Sequence, residues 1–379
     1  MLARALRNTA WRAKHRVECR KGMASSGSMA KWDLEHAFAD GCFLERREDL
    51  RTDPEAMKLA LAEPSSRWLL HNPRLHFLLH ETGDTPAPLP KLGAMWFSKE
   101  AAAKAIAAAD EASMERASSF LGMHNGVHYF TVASTFGDVE AMPEDTLGSH
   151  AQAGFYELRK SVSQLTSAEA TVLGYARSLL AWQSDFTYCP KCGQVLELLD
   201  QGHRKFCASC RKNRYPVIMP CVIMLVCSPD RTLCLLGRKS SWKEGVFSCL
   251  AGFMEVGETA PNAAAREVLE EAYVECDPES IELVSTQPWP FDANLMIGCQ
   301  IAARENPEAK EQAVNHEEGL AEGRWFTKSE AQEMLDRSVD AAYLGAMPNE
   351  GRAQGPNKMR VPGPHAIAHT LIKRWVVSE

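Results

Sequence analysis

The alternation of hydrophobic and polar positions predicts two mixed regions of strands and helices, separated by a cysteine-bearing segment. From about Lys31 to Met142, short apolar runs alternate with turns, and a helix is predicted from Lys99 to Phe120. Its Ala-rich run has high helix propensity and follows Ser98, which is a good N-cap. A second helix, Ser167 to Gln183, is amphipathic because its apolar residues recur at helical spacing. Its predicted solvent face carries three hydroxyl residues, Ser167, Thr171 and Ser178. Strands of this first region are predicted at 67–70, 75–79 and 128–132.

The region after the cysteines predicts a second unit in which helices interrupt buried strands. Strands are predicted at 217–226, 232–236, 247–253, 281–285 and 295–302. Helices are predicted from Pro261 to Ala272 and from His365 to Val377. This mixture favours an α+β class, and no internal repeat recurs at a fixed period. Gly345 to Asn357 is rich in Gly, Pro and Asn and is predicted to be a surface loop.

Composition places the chain among ordinary globular proteins. With 379 residues, 45% apolar and 24% charged, it is long enough for two or three domains and is neither disordered nor collagen-like. The longest apolar stretch, Val217 to Cys227, is about half the length that crosses a bilayer. We therefore predict no transmembrane helix and no membrane partner.

Charge is distributed unevenly along the chain. Residues 1–30 carry seven Lys or Arg against one acid, whereas the whole chain has a net charge of −7. The start of this segment lacks acids and places Arg4 and Arg7 on one helical face, which is typical of a transit peptide. We expect an organelle interior, mitochondrion or plastid, with cytoplasm or peroxisome as the alternative. A frayed basic tail, or an extension ahead of a start at Met23 or Met29, is the other interpretation. The remaining chain is acidic, so any nucleic-acid contact would have to be local.

Four of the twelve cysteines follow the pattern C-x2-C-x14-C-x2-C. Each C-x2-C turn places two thiolates on one side of a tight knuckle, and two knuckles supply the tetrahedral sulfur shell that Zn²⁺ prefers. Disulfide pairing is the alternative, but C-x2-C is too tight for most unstrained bridges, and the other cysteines show no pairing pattern. We predict one structural zinc ion per chain, with no open position for a catalytic water. Its ligands are Cys189, Cys192, Cys207 and Cys210.

The most informative stretch is a Gly-rich strand exit followed by a helix with three closely spaced acids. Glu267, Glu270 and Glu271 fall at i, i+3 and i+4, so their carboxylates project from one helical face. A solvated acidic face is the plain alternative. Here, however, Arg266 can pair with Glu258 and orient the cluster. Oxygen ligands in this arrangement favour Mg²⁺ or Mn²⁺.

This stretch resembles the Nudix box, G-x5-E-x7-R-E-U-x-E-E-x-G-U, in which U is aliphatic. The matching residues are Gly252, Glu258, Arg266, Glu267, Val268, Glu270, Glu271 and Val274. The closing Gly of the family pattern is Tyr273 in this chain. A residue other than Gly costs about 1 to 2 kcal/mol if it keeps the left-handed conformation that ends the helix.

Beyond the box, Gln287-Pro-Trp-Pro-Phe291 resembles the signature loop of the NADH pyrophosphatase branch of this family. Its two prolines stiffen the loop and hold two aromatic side chains, although plain core packing would give the same pattern. The resemblance covers about residues 40–377. It implies a Nudix α/β/α sandwich preceded by a zinc ribbon and a smaller α+β N-terminal domain. The predicted parts are a targeting segment at 1–28, an NADH-pyrophosphatase-like domain at 31–185, the ribbon at 186–215 and the Nudix hydrolase domain at 216–379.

The resemblance also implies the catalytic residues, which are Glu267, Glu270 and Glu271. It assigns divalent-metal binding to the side chains of Glu267 and Glu271 and to the Ala251 carbonyl, with Glu270 as a further ligand or the base. Another metal-binding glutamate is expected six residues before Trp325.

That place is occupied by Gly319, so Glu318 fits only if one residue is inserted, and Glu317 is the alternative. Substrate contacts are implied for twelve residues. These are Arg159, Tyr215, Phe253, Gln287, Pro288, Trp289, Pro290, Phe291, Asp292, Ala293, Asn294 and Ala368.

From this resemblance we predict a Mg²⁺- or Mn²⁺-dependent hydrolase that splits NADH or NAD⁺ into nicotinamide mononucleotide and AMP, acting as a homodimer as is usual in the family. Removal of an NAD cap from RNA is an alternative, because it is the same cut on a larger substrate. A non-catalytic binding module made of the ribbon and an inactive Nudix fold is a further alternative. Inactive forms are expected to lose the carboxylates, which this chain retains.

Overall fold

The computed structural model describes residues 37–38, 44–82, 91–106, 111–142, 147, 153–317, 319–339 and 359–378. Three predictions fall outside these residues. They are the targeting segment 1–28, the surface loop at 345–357 and the metal ligand Glu318.

The first sheet lies in the N-terminal region and has seven described strands in the order β3-β2-β1-β6-β5, with β4 paired to β1 and β7 to β2. Trp68 on β1 and Phe130 on β6 stack with 4.6 Å between ring centroids, and both are fully buried. The three strands predicted for this region are present with shifted ends. The strands are β1 Arg67–His71, β2 Phe77–Glu81, β3 Leu92–Ala94, β4 Trp96–Phe97, β5 Ser118–His124, β6 Val127–Ala133 and β7 Ala153–Tyr156.

The helices around this sheet differ from the prediction at one place. The single helix predicted from Lys99 to Phe120 is wrong, because its last part is strand β5, which pairs with β6 through partners such as Phe120 and Phe130. Burial of Phe120 in the sheet outweighs the helix propensity of the preceding alanines. Ser98 does cap the first helix, accepting a hydrogen bond from the Ala101 N–H. The helices are α1 Glu48–Arg51, α2 Pro54–Ala62, α3 Lys99–Ala105, α4 Glu111–Ala117, α5 Leu158–Ser161 and α6 Ser167–Asp185.

Helix α6 leads from this region to the cysteines. Thr166 and Glu169 form a capping box at its start, which satisfies two backbone donors. The prediction that Thr171 faces solvent is wrong, since this residue is buried and its hydroxyl donates to the Ser167 carbonyl. The cysteine segment then folds into a three-stranded antiparallel sheet. Its strands are β8 Glu197–Leu199, β9 Arg204–Cys207 and β10 Lys212–Arg214.

The last sheet lies between helices on its two faces, as the α/β/α prediction requires. Its strand order is β14-β15-β11-β12-β17-β16, with β13 paired to β11. One face packs on α7, and the other packs on α8 and α9. The strands are β11 Met219–Cys227, β12 Leu233–Lys239, β13 Leu250–Phe253, β14 Glu282–Trp289, β15 Asn294–Ala302, β16 Glu311–Gln312 and β17 Leu320–Thr327, and the helices are α7 Ala260–Ala272, α8 Lys328–Val339 and α9 Ile367–Val377.

The two large sheets share a strand arrangement that the sequence does not reveal. In the first sheet β1 pairs antiparallel with β2 and β4 and parallel with β6, which pairs antiparallel with β5. In the last sheet β11 pairs antiparallel with β12 and β13 and parallel with β15, which pairs antiparallel with β14. The N-terminal region therefore repeats the pairing scheme of the last sheet without repeating its sequence.

Candidate active site and metal centre

The three predicted acids lie on α7, which follows β13 after a short turn. Ala263, Ala264 and Val268 are fully buried against the sheet and fix the orientation of the helix. The carboxylates differ in environment, because Glu271 is only 5% exposed whereas the Glu270 side chain is 51% exposed. The helix thus carries one buried and one accessible carboxylate on neighbouring positions.

Arg266 joins the acids into one network. Its guanidinium donates to both carboxylate oxygens of Glu258 at 2.9 Å, to Glu267 at 2.9 Å and to Glu270 at 2.8 Å. It also donates to the Phe253 carbonyl at 2.8 Å, which ties β13 to the helix. The hydrogen bond from Arg266 lowers the pKa of Glu258, so this carboxylate stays ionised. The predicted pairing of Arg266 with Glu258 is present.

Glu267 lies against the backbone of β13. A Cβ added at Gly252 would lie 1.9 Å from the Glu267 carboxylate, so only glycine allows this approach. The carboxylate is thereby held beside the strand that carries the predicted ligand, the Ala251 carbonyl. A carboxylate and a backbone carbonyl are the oxygen donors that hard cations prefer, so the donor chemistry of these residues suits Mg²⁺ or Mn²⁺. Within the described residues, however, the carboxylates of α7 do not converge as the four cysteines do.

At the end of α7, Tyr273 adopts the left-handed conformation that the family's glycine would have there. Its φ is 54° and its ψ is 29°, and its backbone N–H donates to the Leu269 carbonyl. The ring is 58% exposed and therefore contributes little packing. The helix ends as a glycine-closed one does, at the cost of backbone strain.

We expect Tyr273→Gly to raise the free energy of unfolding by about 1 kcal/mol, because glycine adopts this conformation without the Cβ penalty. Thermal unfolding of the two proteins measures the effect. Tyr273→Ala is the matched control, since it removes the ring and keeps the strained Cβ. An equal gain in both variants would mean that the exposed ring, and not the backbone, is the destabilising feature.

The four predicted ribbon cysteines converge. Their sulfur atoms all lie within 4.8 Å of one another, and all four are free thiols. Hydrogen bonding from the Lys191 backbone N–H lowers the pKa of Cys189 to about 6, whereas the hydrogen bond with Cys192 raises the pKa of Cys210 to about 12, so the thiols share hydrogen bonds within one cluster. Within the described residues no other group of His, Cys, Asp and Glu converges in this way. The arrangement fits a tetrahedral zinc ion and does not contain the disulfides of the alternative interpretation.

The signature loop is only partly a loop. Gln287, Pro288 and Trp289 complete β14, whereas Pro290 and Phe291 lie in the short turn that leads to β15 at Asn294. Trp289 and Phe291 meet edge to face with 5.1 Å between ring centroids. The Arg159 guanidinium lies 4.5 Å from the Phe291 centroid and 3.7 Å from Asp292. Four predicted substrate residues, Arg159, Trp289, Phe291 and Asp292, therefore form one cluster.

Arg177 on α6 belongs to the same cluster but has no signature in the sequence. Its guanidinium lies 5.7 Å from the Phe291 centroid. Burial lowers the pKa of Arg177, and Arg159 nearby adds to this effect. Only the fold brings α6 against the loop, so sequence spacing could not reveal this neighbour.

The prediction that Gln287 contacts substrate is not supported by its surroundings. The side chain is fully buried, and its amide donates to the Ala37 carbonyl at 2.7 Å and the His365 carbonyl at 2.8 Å. Its oxygen accepts from the Ile367 N–H at 2.9 Å. Both N–H groups of the amide and its oxygen therefore form hydrogen bonds within the chain. Ala368, on α9, is likewise buried in the core.

Of the other predicted substrate residues, Phe253 and Asn294 lie on the two strands that pair with the start of β11, and Tyr215 lies just before that strand. Phe253 pairs with Cys221 on one side of β11, and Asn294 pairs with Met219 on the other side. Phe253 is 51% exposed and Tyr215 is 59% exposed, so both rings are accessible to a ligand. The start of β11 thus separates the carboxylate group from the aromatic cluster.

Two protein families match the chain. The NUDIX domain matches residues 218–344, and the NADH pyrophosphatase-like rudimentary NUDIX domain matches residues 65–182. Together they cover more than half of the chain, which belongs to the Nudix hydrolase superfamily. The pair of domains places it in the branch with an NADH pyrophosphatase-like N-terminal domain. The second match also accounts for the repeated strand arrangement of the two sheets.

Several characterised proteins are similar to this chain. Human NAD-capped RNA hydrolase NUDT12 is 37% identical over 221 residues, which are 56% of this chain and 43% of that protein. Human mitochondrial NAD(P)H pyrophosphatase NUDT13 is 33% identical over 244 residues, 64% of this chain and 65% of that protein. Chloroplastic Nudix hydrolase 19 of Arabidopsis thaliana is 33% identical over 230 residues, 55% of this chain and 52% of that protein. The chain spans less than half the length of the NUDT12 protein that it matches.

None of the helices in the described ranges has the length and apolar character needed to span a bilayer. This agrees with the apolar stretch 217–227 lying in β11 and the segment before it.

Proposed function

We propose that the chain is a divalent-cation-dependent pyrophosphohydrolase that splits NADH or NAD⁺ into nicotinamide mononucleotide and AMP. The observation that carries this proposal is the Arg266 network, which braces the acids of α7 beside the β13 backbone. The family and the NAD(P)H pyrophosphatase relative NUDT13 support the choice of substrate.

The residues have separate tasks in this proposal. Glu267 and Glu271, with the Ala251 carbonyl, would hold the cation, and Glu318, two residues before the start of β17 in the sequence, would add a ligand. A divalent cation supplies charge neutralisation on the diphosphate and lowers the pKa of a water molecule. Glu270 is accessible and accepts the proton of the attacking water. Arg266 keeps Glu267 and Glu270 in position throughout, because its ion pairs restrict both side chains.

Aromatic residues supply recognition of the two bases. Phe253 presents an exposed ring on the strand that carries Ala251, so a base stacked there leaves the diphosphate near the acids. Tyr215 and the Trp289–Phe291 pair, supported by Arg159, are available for the remaining half of the dinucleotide. Gln287 fixes the loop through the hydrogen bonds of its buried amide.

The test is product analysis after incubation of the purified chain with NADH and Mg²⁺. Reduced nicotinamide mononucleotide and AMP in equal amounts are expected. Release of inorganic phosphate instead, or no reaction with either Mg²⁺ or Mn²⁺, would contradict the proposal.

We expect Phe253→Ala to lower kcat/KM for NADH by about one to two powers of ten, because stacking of a base on an aromatic ring contributes about 1 to 3 kcal/mol. Trp289→Ala is expected to act similarly and more strongly on NADH than on ADP-ribose. The measurement is kcat/KM for both substrates. Equal losses on the two substrates would mean that these rings only hold the core together.

Removal of an NAD cap from RNA is a second candidate, and the NAD-capped RNA hydrolase NUDT12 among the relatives favours it. The cut is chemically the same, so one site serves both substrates. A non-catalytic binding module is the weaker alternative, because all four glutamates of the Nudix box are retained.

Further proposals concern the assembly around the site. We propose one structural zinc ion in the ribbon, a homodimer, and the domain boundaries at 31–185, 186–215 and 216–379. Mitochondrial and chloroplastic relatives support an organelle interior directed by residues 1–28. For the additional metal ligand, replacing Glu318 is expected to reduce turnover more than replacing Glu317.

A further inference from the structure

The ribbon differs from the rest of the chain in its charge. Residues 186–215 contain six Lys or Arg against two acids, in a chain whose net charge is −7. Two of these cations have internal tasks. Lys205 is buried and donates to the carbonyls of Gln183 and Phe186, and Arg204 pairs with Asp200 at 2.6 Å.

Three of the other four cations lie on the two knuckles, and Arg214 is the fourth. Lys191 lies inside the first C-x2-C turn, and Arg211 and Lys212 directly follow the second. Because the four sulfur atoms lie within 4.8 Å of one another, the two knuckles are adjacent. All three residues are exposed, and none of them forms an ion pair with another residue that the structure describes.

A zinc ion with four thiolates carries two negative charges, which offset part of the basic character. Arg214 reaches the Cys189 sulfur at 4.0 Å and compensates some of this charge directly. The three knuckle cations therefore remain as a local positive surface on an otherwise acidic body, where a polyanion can bind without meeting the bulk repulsion.

This surface connects to the proposed active site along the chain. Strand β10 ends at Arg214, and the residues from 215 to 218 are all exposed before β11 begins at Met219. Tyr215 on this path is 59% exposed, and two residues into β11 Cys221 pairs with Phe253. From Lys212 to Met219 the chain reaches at most about 25 Å. The path offers cations at one end, a stacking ring in the middle and the base-binding ring at the other.

We propose that Lys191, Arg211 and Lys212 form a docking surface for single-stranded RNA whose NAD cap is bound in the active site. The phosphate backbone of this RNA would extend from the cap to the three cations. The cations bind phosphates without reading sequence, and Tyr215, on the path between them and the active site, keeps its proposed contact with the dinucleotide cap. This inference rests on the second candidate function, and it adds the surface that would distinguish a capped RNA from free NADH. It also explains how an acidic protein accepts RNA locally.

The test measures RNA binding without catalysis, using an uncapped single-stranded RNA of about 20 nucleotides and fluorescence anisotropy. The variant Lys191→Gln/Arg211→Gln/Lys212→Gln is expected to bind about tenfold or more weakly at low salt. The slope of log K against log salt concentration should become shallower by about 2, because each phosphate contact to a single strand contributes about 0.7 to this slope. The matched control is Lys58→Gln/Lys104→Gln/Arg116→Gln, which removes the same charge from the exposed face of α2, α3 and α4.

Zinc content and NADH turnover are measured on the same samples. Unchanged zinc and unchanged NADH turnover, with weak RNA binding only in the knuckle variant, support the proposal. Equal RNA binding in the knuckle variant and wild type overturns it, as does an equal loss in the control, which would indicate a bulk charge effect. Loss of zinc in the knuckle variant also counts against it, because the cations would then serve the fold. If the wild type does not hydrolyse NADH, the proposed reaction is overturned. The RNA-binding comparison then still decides whether the three cations bind RNA.

Discussion

Replacing Glu271 by Gln is expected to lower kcat for NADH by about 100-fold or more, while the fold and the zinc content remain unchanged. Glutamine keeps the shape of the side chain and removes the charge that a cation requires. Because Glu271 is 5% exposed, water cannot readily replace the lost ligand at this position. Steady-state kinetics across a series of Mg²⁺ concentrations measures the effect.

The matched control is Glu279→Gln, an exposed acid after α7 with no place in the proposed site. It should retain wild-type kcat. If Glu271→Gln kept full activity at saturating Mg²⁺, the assignment of this residue as a metal ligand would have to be abandoned.

Cys192→Ser is expected to abolish recovery of soluble protein, because binding of structural zinc is coupled to folding of the segment that supplies its ligands. The ribbon has a core of only a few buried residues, including Cys189, Leu196 and Cys207, and cannot offset the loss of a ligand. Soluble yield and elemental analysis are the measurements, and wild type should contain one zinc ion per chain.

Cys276→Ser is the control, since this cysteine is buried in the Nudix core and lies outside the ribbon cluster. It should give soluble protein with a full complement of zinc. A stable, soluble Cys192→Ser protein, or a wild type without zinc, would show that the cysteine cluster does not depend on metal for folding.

The sequence predicts best where a local pattern and the tertiary fold agree. Helix α7 was predicted within one residue of its observed start, because its apolar face and flanking turn both indicate a helix. The conformation of Tyr273 was left open by the sequence, because the glycine of the family pattern is absent and only about a third to a half of helices end in a left-handed residue. Prediction failed at Phe120, where pairing with another strand overrides the helix propensity of the residues before it.

Long-range contacts could not be predicted. The partners of Gln287 lie at Ala37 and near Ile367, and no local pattern relates these positions. The repeated pairing scheme of the two sheets is equally invisible in the residues, because strand order depends on burial and register rather than on identical side chains. The network of Arg266 was partly predictable, since helical spacing brings Glu270 within reach, but its bond to the Phe253 carbonyl was not.

Gln287 has a consequence for the order in which the protein becomes functional. Its amide joins a residue near the N-terminal region to the segment that starts α9, so the aromatic loop is fixed only when both ends of the described chain are in place. In a fragment that lacked Ala37, one carbonyl partner of this buried amide would be missing, and a lost buried hydrogen bond costs about 1 to 3 kcal/mol. During synthesis α9 is among the last described elements to emerge. The dinucleotide site is therefore completed late, and a chain that stops before Ile367 would carry intact acids on α7 with a loop that is no longer held beside them.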